Sequence, residues 1–184
     1  MLTLSTKLRG THSPPIPASL PDVDYRIGMD LNPIDVQDDD AVLWLRALIW
    51  PEHAHRAERL AQAIRIARDH QPPIIAGDAL KILRDVLSQV PDNLTLCFYH
   101  TFVVNQFSQD ERDHLTALLL EHSQVRPIDH ISIEWLITEY PQLELRRYQH
   151  GEETQHQLLA YCDGYGRWLE WHKIHRSHSG YNDK

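Results

Sequence analysis

The stretch from Arg26 to Trp50, RIGMDLNPIDVQDDDAVLWLRALIW, leaves this chain few choices of fold. Ile27 and Met29 alternate with Gly28 as in a short strand, and polarity ends that strand at Asp30. Asn32-Pro33 is a turn dipeptide, because the proline ring fixes its own φ and pushes the preceding residue away from helical geometry. Asp38, Asp39 and Asp40 stand where a helix opens. Carboxylates there satisfy unpaired N–H groups and face the positive end of the helix dipole. Val42, Leu45, Leu48 and Ile49 then recur at helical spacing until Pro51 stops the helix. A strand, an acidic tip and a helix, in that order, are half of a βαβ unit.

The same alternation continues downstream. A helix is expected from about residue 52 to 70, with Ala57, Leu60, Ala61, Ile64 and Ala67 as its apolar stripe and Pro72-Pro73 as its end. Ile74-Ile75-Ala76 reads as a buried strand running into Gly77-Asp78, followed by a helix over 79–90. Leu94 to Tyr99 is an almost unbroken apolar run, of the kind that parallel sheets cover on both faces, and it ends at His100-Thr101. After a brief helical turn, Ser108 to Glu111 has the spacing of a capping box opening a helix to about His122. Ile128 to Ile133 is a further strand, ending at Glu134-Trp135, and 143–148 with 154–162 reads as a hairpin around His150-Gly151-Glu152-Glu153. The expected architecture is a three-layer, Rossmann-like α/β domain over 23–171: a mostly parallel sheet flanked by helices, with an antiparallel hairpin at its carboxyl end. Residues 1–22, with Pro14, Pro15, Pro17 and Pro21, form an extended lead-in, and 172–184 a polar tail.

Net charge is −8 with both signs mixed along the chain, which argues against binding a phosphate backbone as the main business. No segment approaches the ~20 apolar residues of a membrane helix, and the first residues lack a secretory apolar region. Cys97 and Cys162 lie in strand-like runs and read as buried free thiols of a reducing compartment. The expectation is a cytoplasmic protein without nucleic-acid or membrane partners.

In open α/β sheets ligands bind beyond the carboxyl ends of the strands. Asp30 and Asn32, Gly77 and Asp78, His100 and Thr101, and Glu134 stand at such ends. Asp30 could accept hydrogen bonds from a ribose or cap its own turn. Gly77 allows close backbone approach to a ligand, whereas Asp78 is foremost an N-cap for the helix at Ala79. His100 closes an apolar strand, where partial burial would favour a neutral imidazole fit for general-base work, against the commoner role of a satisfied structural histidine. Glu134 reads either as an acid or as a strand-end charge. His172, His175 and His178 are spaced in threes, but their cationic and serine neighbours read as a solvated tail and no metal site is expected. The acidic run from Asp35 to Asp40 lacks the central glycine and closing glutamate of a calcium loop, so capping explains it better.

DLNPIDV (30–36), WLRALIWPE (44–52), PPIIAGD (72–78), FYHTFV (98–103) and GRWLEW (166–171), taken in this order, resemble the bacterial family catalogued as domain of unknown function 2332. That resemblance implies a methyltransferase-like Rossmann fold with an inferred S-adenosylmethionine site. Asp30, Asn32, Gly77 and Asp78 would then be the cofactor-binding residues, with His100 and Glu134 at the transfer site. Family members carry a glycine-containing ELGASAGLN-like segment on a first strand at the middle of the sheet, and no such segment precedes Asp30. Where members have a His-Pro-His-like step before GRWLEW, this chain has Asp163-Gly164-Tyr165. The resemblance therefore implies the carboxyl-terminal part of such a domain. Two functions are expected: a degenerate member that serves as an interaction or structural protein, homodimeric or paired with a missing amino-terminal half; or an S-adenosylmethionine-dependent methyltransferase of a small molecule.

Overall fold

The computed structural model describes residues 2–173. In chain order its strands are β1 (Lys7–Arg9), β2 (Gly28–Asp30), β3 (Ile74–Ala76), β4 (Leu96–Thr101), β5 (Ile128–Glu134), β6 (Gln142–Gln149), β7 (Glu152–Cys162) and β8 (Trp168–Trp171). Its helices are α1 (Asp39–Ala47), α2 (Ala54–Asp69), α3 (Ala79–Ser88) and α4 (Gln109–His122), with one 3-10 turn at Val104–Gln106. The chain divides into two compact units, Met1–Leu4 with Pro21–Val90 and Ser5–Leu20 with Pro91–Lys184. No helix among the described residues is long and apolar enough to cross a membrane.

The first unit is a β-α-α-β-α run. Strands β2 and β3 pair in parallel, Gly28 opposite Ile74 and Asp30 opposite Ala76, and make a two-stranded sheet of their own. Asp38 caps α1 by accepting from the backbone N–H groups of Asp40 (2.9 Å) and Ala41 (3.4 Å). At the same end Arg68 of α2 donates to Asp39 at 2.7 Å and to the Val36 carbonyl at 2.6 Å, fastening the two helices. The buried side chains of this unit are Val42, Ile64, Leu83, Val86 and Leu87.

The second unit is a six-stranded sheet in the order β1-β8-β7-β6-β5-β4. The β4–β5 and β1–β8 pairs are parallel, whereas β5–β6, β6–β7 and β7–β8 are antiparallel. Helix α4 joins β4 to β5 and opens with the capping box seen in the sequence: Ser108 accepts from Glu111 N–H, and the Glu111 carboxylate accepts from Ser108 N–H. The β6–β7 hairpin turns on His150 (φ 56°) and Gly151 (φ 79°), the left-handed pair that a two-residue turn of the twisted kind requires. The core gathers Leu96, Leu115, Leu118, Leu119, Ile128, Tyr148 and Ala160.

Three expectations are corrected. The fold is α/β, but the main sheet is mixed and mostly antiparallel, so the mostly parallel, three-layer Rossmann-like architecture does not hold. Past residue 140 the strands follow one another through short links with no crossover helix, and such neighbours pair antiparallel. Second, Asp30 and His100 lie in different sheets, so the sequence reading that put both on one rim fails. Third, the apolar run at β4 is not covered on both faces. Leu96 is buried while Cys97 and Tyr99 are exposed, and of the two thiols expected to be buried only Cys162 is.

Candidate functional site

The most closely knit polar group belongs to the second unit. Strand β5 reads Ile-Asp-His-Ile-Ser-Ile-Glu, and Ile128, His130, Ser132 and Glu134 are buried while the residues between them are half-buried. The parallel register sets Phe98 beside His130 and His100 beside Ser132. Alternation therefore brings His100, His130 and Glu134 to one face of the sheet.

Glu134 is held by the chain that leaves β4. Phe102 adopts a left-handed φ of 54°, uncommon for a residue with a side chain, and donates its N–H to the Ile133 carbonyl at 2.9 Å. That bend aims the next three backbone N–H groups at one carboxylate. Val103 and Val104 donate to Oε1 at 3.0 and 3.1 Å, and Asn105 donates to Oε2 at 3.0 Å. His100 Nδ1 lies 2.7 Å from the same Oε1. Burial alone would raise the Glu134 pKa, but the His100 hydrogen bond and the three backbone donors outweigh it and hold the carboxyl below its ordinary value.

The line continues on the other side of the ring. His100 Nε2 is 2.8 Å from His130 Nε2, a spacing at which one shared proton is needed between the two nitrogens. Glu134, as a carboxylate, only accepts, so His100 donates from Nδ1. With both rings neutral, His130 donates from Nε2 to His100 Nε2, and His130 Nδ1 is left as a bare acceptor. That atom is buried and has no hydrogen-bond partner. Burial, then the charges of His100 and Arg146, lower the His130 pKa to about 3 against a smaller opposing pull from Glu134. Phe98 (centroids 5.3 Å apart) and Tyr148 (6.0 Å, stacked) enclose the His130 ring. Chemically, a proton added at His130 Nδ1 can pass through the Nε2 pair to His100 and come to rest against Glu134.

The first unit gathers the other candidates. Gly77 N–H donates to the Asp30 carbonyl at 2.9 Å, so Asp30, Asn32, Gly77 and Asp78 share the carboxyl-end rim of the β2–β3 pair. Their polar atoms are engaged locally. Asp30 Oδ1 accepts from Asn32 N–H at 2.8 Å. Asp78 Oδ1 caps α3 by accepting from Leu80 N–H at 3.0 Å, and its other oxygen lies 3.3 Å from Lys81 Nζ.

The structure thus joins His100 to Glu134 and Asp30 to Gly77, in separate sheets. Sequence reasoning missed His130. The period-two alternation of β5, which sets it on the Glu134 face, was the signal available. Asp163 accepts from Tyr165 and Arg167 backbone N–H groups and pairs with the Arg167 guanidinium at 2.8 Å. His172 packs edge-on against Tyr161, whereas His175 and His178 lie outside the described residues. Among the described residues no group of three or more His, Cys, Asp or Glu side chains is arranged to hold a metal ion.

Residues 1–171 match the model of the family described as "Uncharacterized protein conserved in bacteria (DUF2332)". No curated protein and no solved structure matches the chain. The match does not extend to the methyltransferase-like reading, and the mixed sheet order does not support it. The chain belongs to the DUF2332 family of uncharacterised bacterial proteins.

Proposed function

We propose that this chain is a protein-interaction module that docks through the outward face of α1. One observation carries the reading: α1 is apolar on two opposite faces and packs only one of them. On α1 Val42 is buried, with Ala41 and Leu45 half-buried, while Leu43 (64% exposed) and Trp44 (67%) are exposed, as are Leu48 (61%) and Trp50 (68%) just past its end. Apolar side chains of this size clustered in solvent mark an interaction site. The two-stranded sheet of the same unit supports the same reading, since a lone parallel pair has both edges open.

The test is the native size of the protein in an extract of cells that make it naturally. The wild-type chain should elute well above its own 21.5 kDa. A Leu43→Ser/Trp44→Ser variant should elute as a free chain with unchanged circular dichroism. Equal elution of the two would refute the reading.

A second reading, S-adenosylmethionine binding on the first unit, is favoured by the convergence of Asp30, Asn32, Gly77 and Asp78 at one strand-end rim. Calorimetric titration with the cofactor and its demethylated product decides it. Heat at submillimolar ligand, lost in Asp30→Ala, would support it, and no heat would sink it.

A further inference from the structure

We propose that the hollow between α1 and α2 binds a small organic carboxylate with a compact apolar body, gripped by Arg46 and Arg65. The short link over 48–53 folds the two helices back on each other, and the Asp39–Arg68 contact at 2.7 Å fixes their register. With residue 39 level with 68, Val42 comes level with Arg65, and Arg46 with Ala61. The two facing stripes, each at helical spacing, line a hollow of about 510 Å³, within the range of small-molecule sites. Its floor is apolar: Val42 and Ile64 are buried and Ala61 is half-buried, with Leu43 exposed beside them.

The charges around that floor select the ligand. Asp39 and Arg68 answer each other, and Arg68 also donates to the Val36 carbonyl. Arg46 and Arg65 line the hollow yet make no ion pair or side-chain hydrogen bond with any described residue. They come from opposite walls, four residue levels apart, or about 6 Å along the axis. Arginine side chains are long enough to close that gap on one anion, and their forked N–H groups match a carboxylate. Asp40, also without a side-chain partner among the described residues, lies toward the Asp39–Arg68 end. It turns negative charge away from that end, so the apolar body lies over Val42 and Ile64. Two free bases against one free acid match a single negative charge and leave a doubly charged phosphate unmatched. Trp44, Leu48 and Trp50 take no part in the hollow, so the site stands apart from the docking reading.

Titration of the isotope-labelled chain with octanoate, followed by amide NMR shifts, tests this. Shifts confined to α1 and α2 are expected, with half-saturation at or below about 1 mM. Octylamine has the same body with the opposite charge, and acetate has the charge without the body. Each should bind at least about tenfold more weakly than octanoate. Arg46→Gln/Arg65→Gln should weaken octanoate at least about tenfold, and Arg46→Glu/Arg65→Glu should reverse the preference in favour of octylamine. The dispersion of the amide spectrum establishes that each variant is folded. Shifts absent up to about 5 mM octanoate, or centred outside α1 and α2, overturn the proposal. So does equal binding of octanoate and octylamine, or octanoate binding that is indifferent to loss of both arginines.

Discussion

The two units differ in what their most conspicuous side chains meet. In the second unit the buried carboxylate is answered from within: Glu134 has three backbone donors and an imidazole, and His100 has a partner on each ring nitrogen, while His130 Nδ1 is left without one. In the first unit, large apolar side chains on α1 are left facing outward, and a two-stranded sheet stands with open edges. A buried carboxylate cannot wait for a partner, because an unsatisfied charge in the interior costs more than the fold can spare. An exposed leucine or tryptophan can wait, since the solvent penalty is spread thinly and is relieved on association. A carboxylate satisfied within its own fold and an apolar cluster left in solvent differ in when their partners must be present.

The comparison can be broken from the polar side first. His130 has an ordinary value of 6.5 when unfolded and about 3 when folded, so the unfolded chain binds the extra proton throughout that window. The stabilisation is fully present above pH 6.5 and is lost as pH falls toward 3, on the order of 5 kcal/mol across the whole interval. Glu134, held below its ordinary value, adds a loss of the same sign at the acid end. Hydrogen exchange of the β4–β5 amides against pH measures it, and His130→Asn should remove about one proton from the slope. An unchanged slope would mean that His130 is not the buried base.

Next in size is Glu134→Ala, which strands three backbone N–H groups and the His100 N–H. Loss of about 3–4 kcal/mol in the second unit is expected, with Glu134→Gln costing less because its amide oxygen still accepts. Equal losses in the two variants would show that the negative charge, and not the acceptor geometry, holds the turn at Phe102. On the apolar side, Ile64→Ala should cost roughly 2–4 kcal/mol in the first unit, whereas Leu43→Ala measured at low concentration should stay within about 0.5 kcal/mol. A large cost at Leu43 in the single chain would contradict the claim that its face is unpacked. The smallest effect is Asp38→Ala, about 1 kcal/mol through loss of the α1 cap.

Much of the local structure was legible in the sequence because its causes are local. The Asp38 cap and the Ser108–Glu111 capping box follow from short-range hydrogen bonding and lie where the residues pointed, and the expected turn over 150–153 tightens to His150-Gly151, with Glu152 and Glu153 already in β7. The sheet was not legible, since alternating strands and helices specify parallel neighbours only while helices keep intervening. The links after β5 are too short for that, and β1 reaches β8 from the other end of the chain. Of the candidate site, His100 and Glu134 could be named as strand-end groups, but not their contact, which depends on the β4–β5 register and the left-handed bend at Phe102. His130 was hidden for the same reason. The apolar spacing of Val42, Leu45, Leu48 and Ile49 suggested a helix running to Pro51, whereas α1 ends at Ala47 with Leu48 as its C-cap. Where apolar residues stand on more than one side of a helix, periodicity cannot say which side its own chain will cover.

The outward face of α1 can be interrogated where the protein works. In a Cys97→Ser background, the rate of maleimide labelling of Leu43→Cys is compared, inside cells and in dilute purified protein, with that of Arg59→Cys, an exposed position on α2. If the face is an interface, Leu43→Cys labels about as fast as Arg59→Cys in dilute solution and at least about tenfold more slowly in cells. Equal rates in both settings would contradict it.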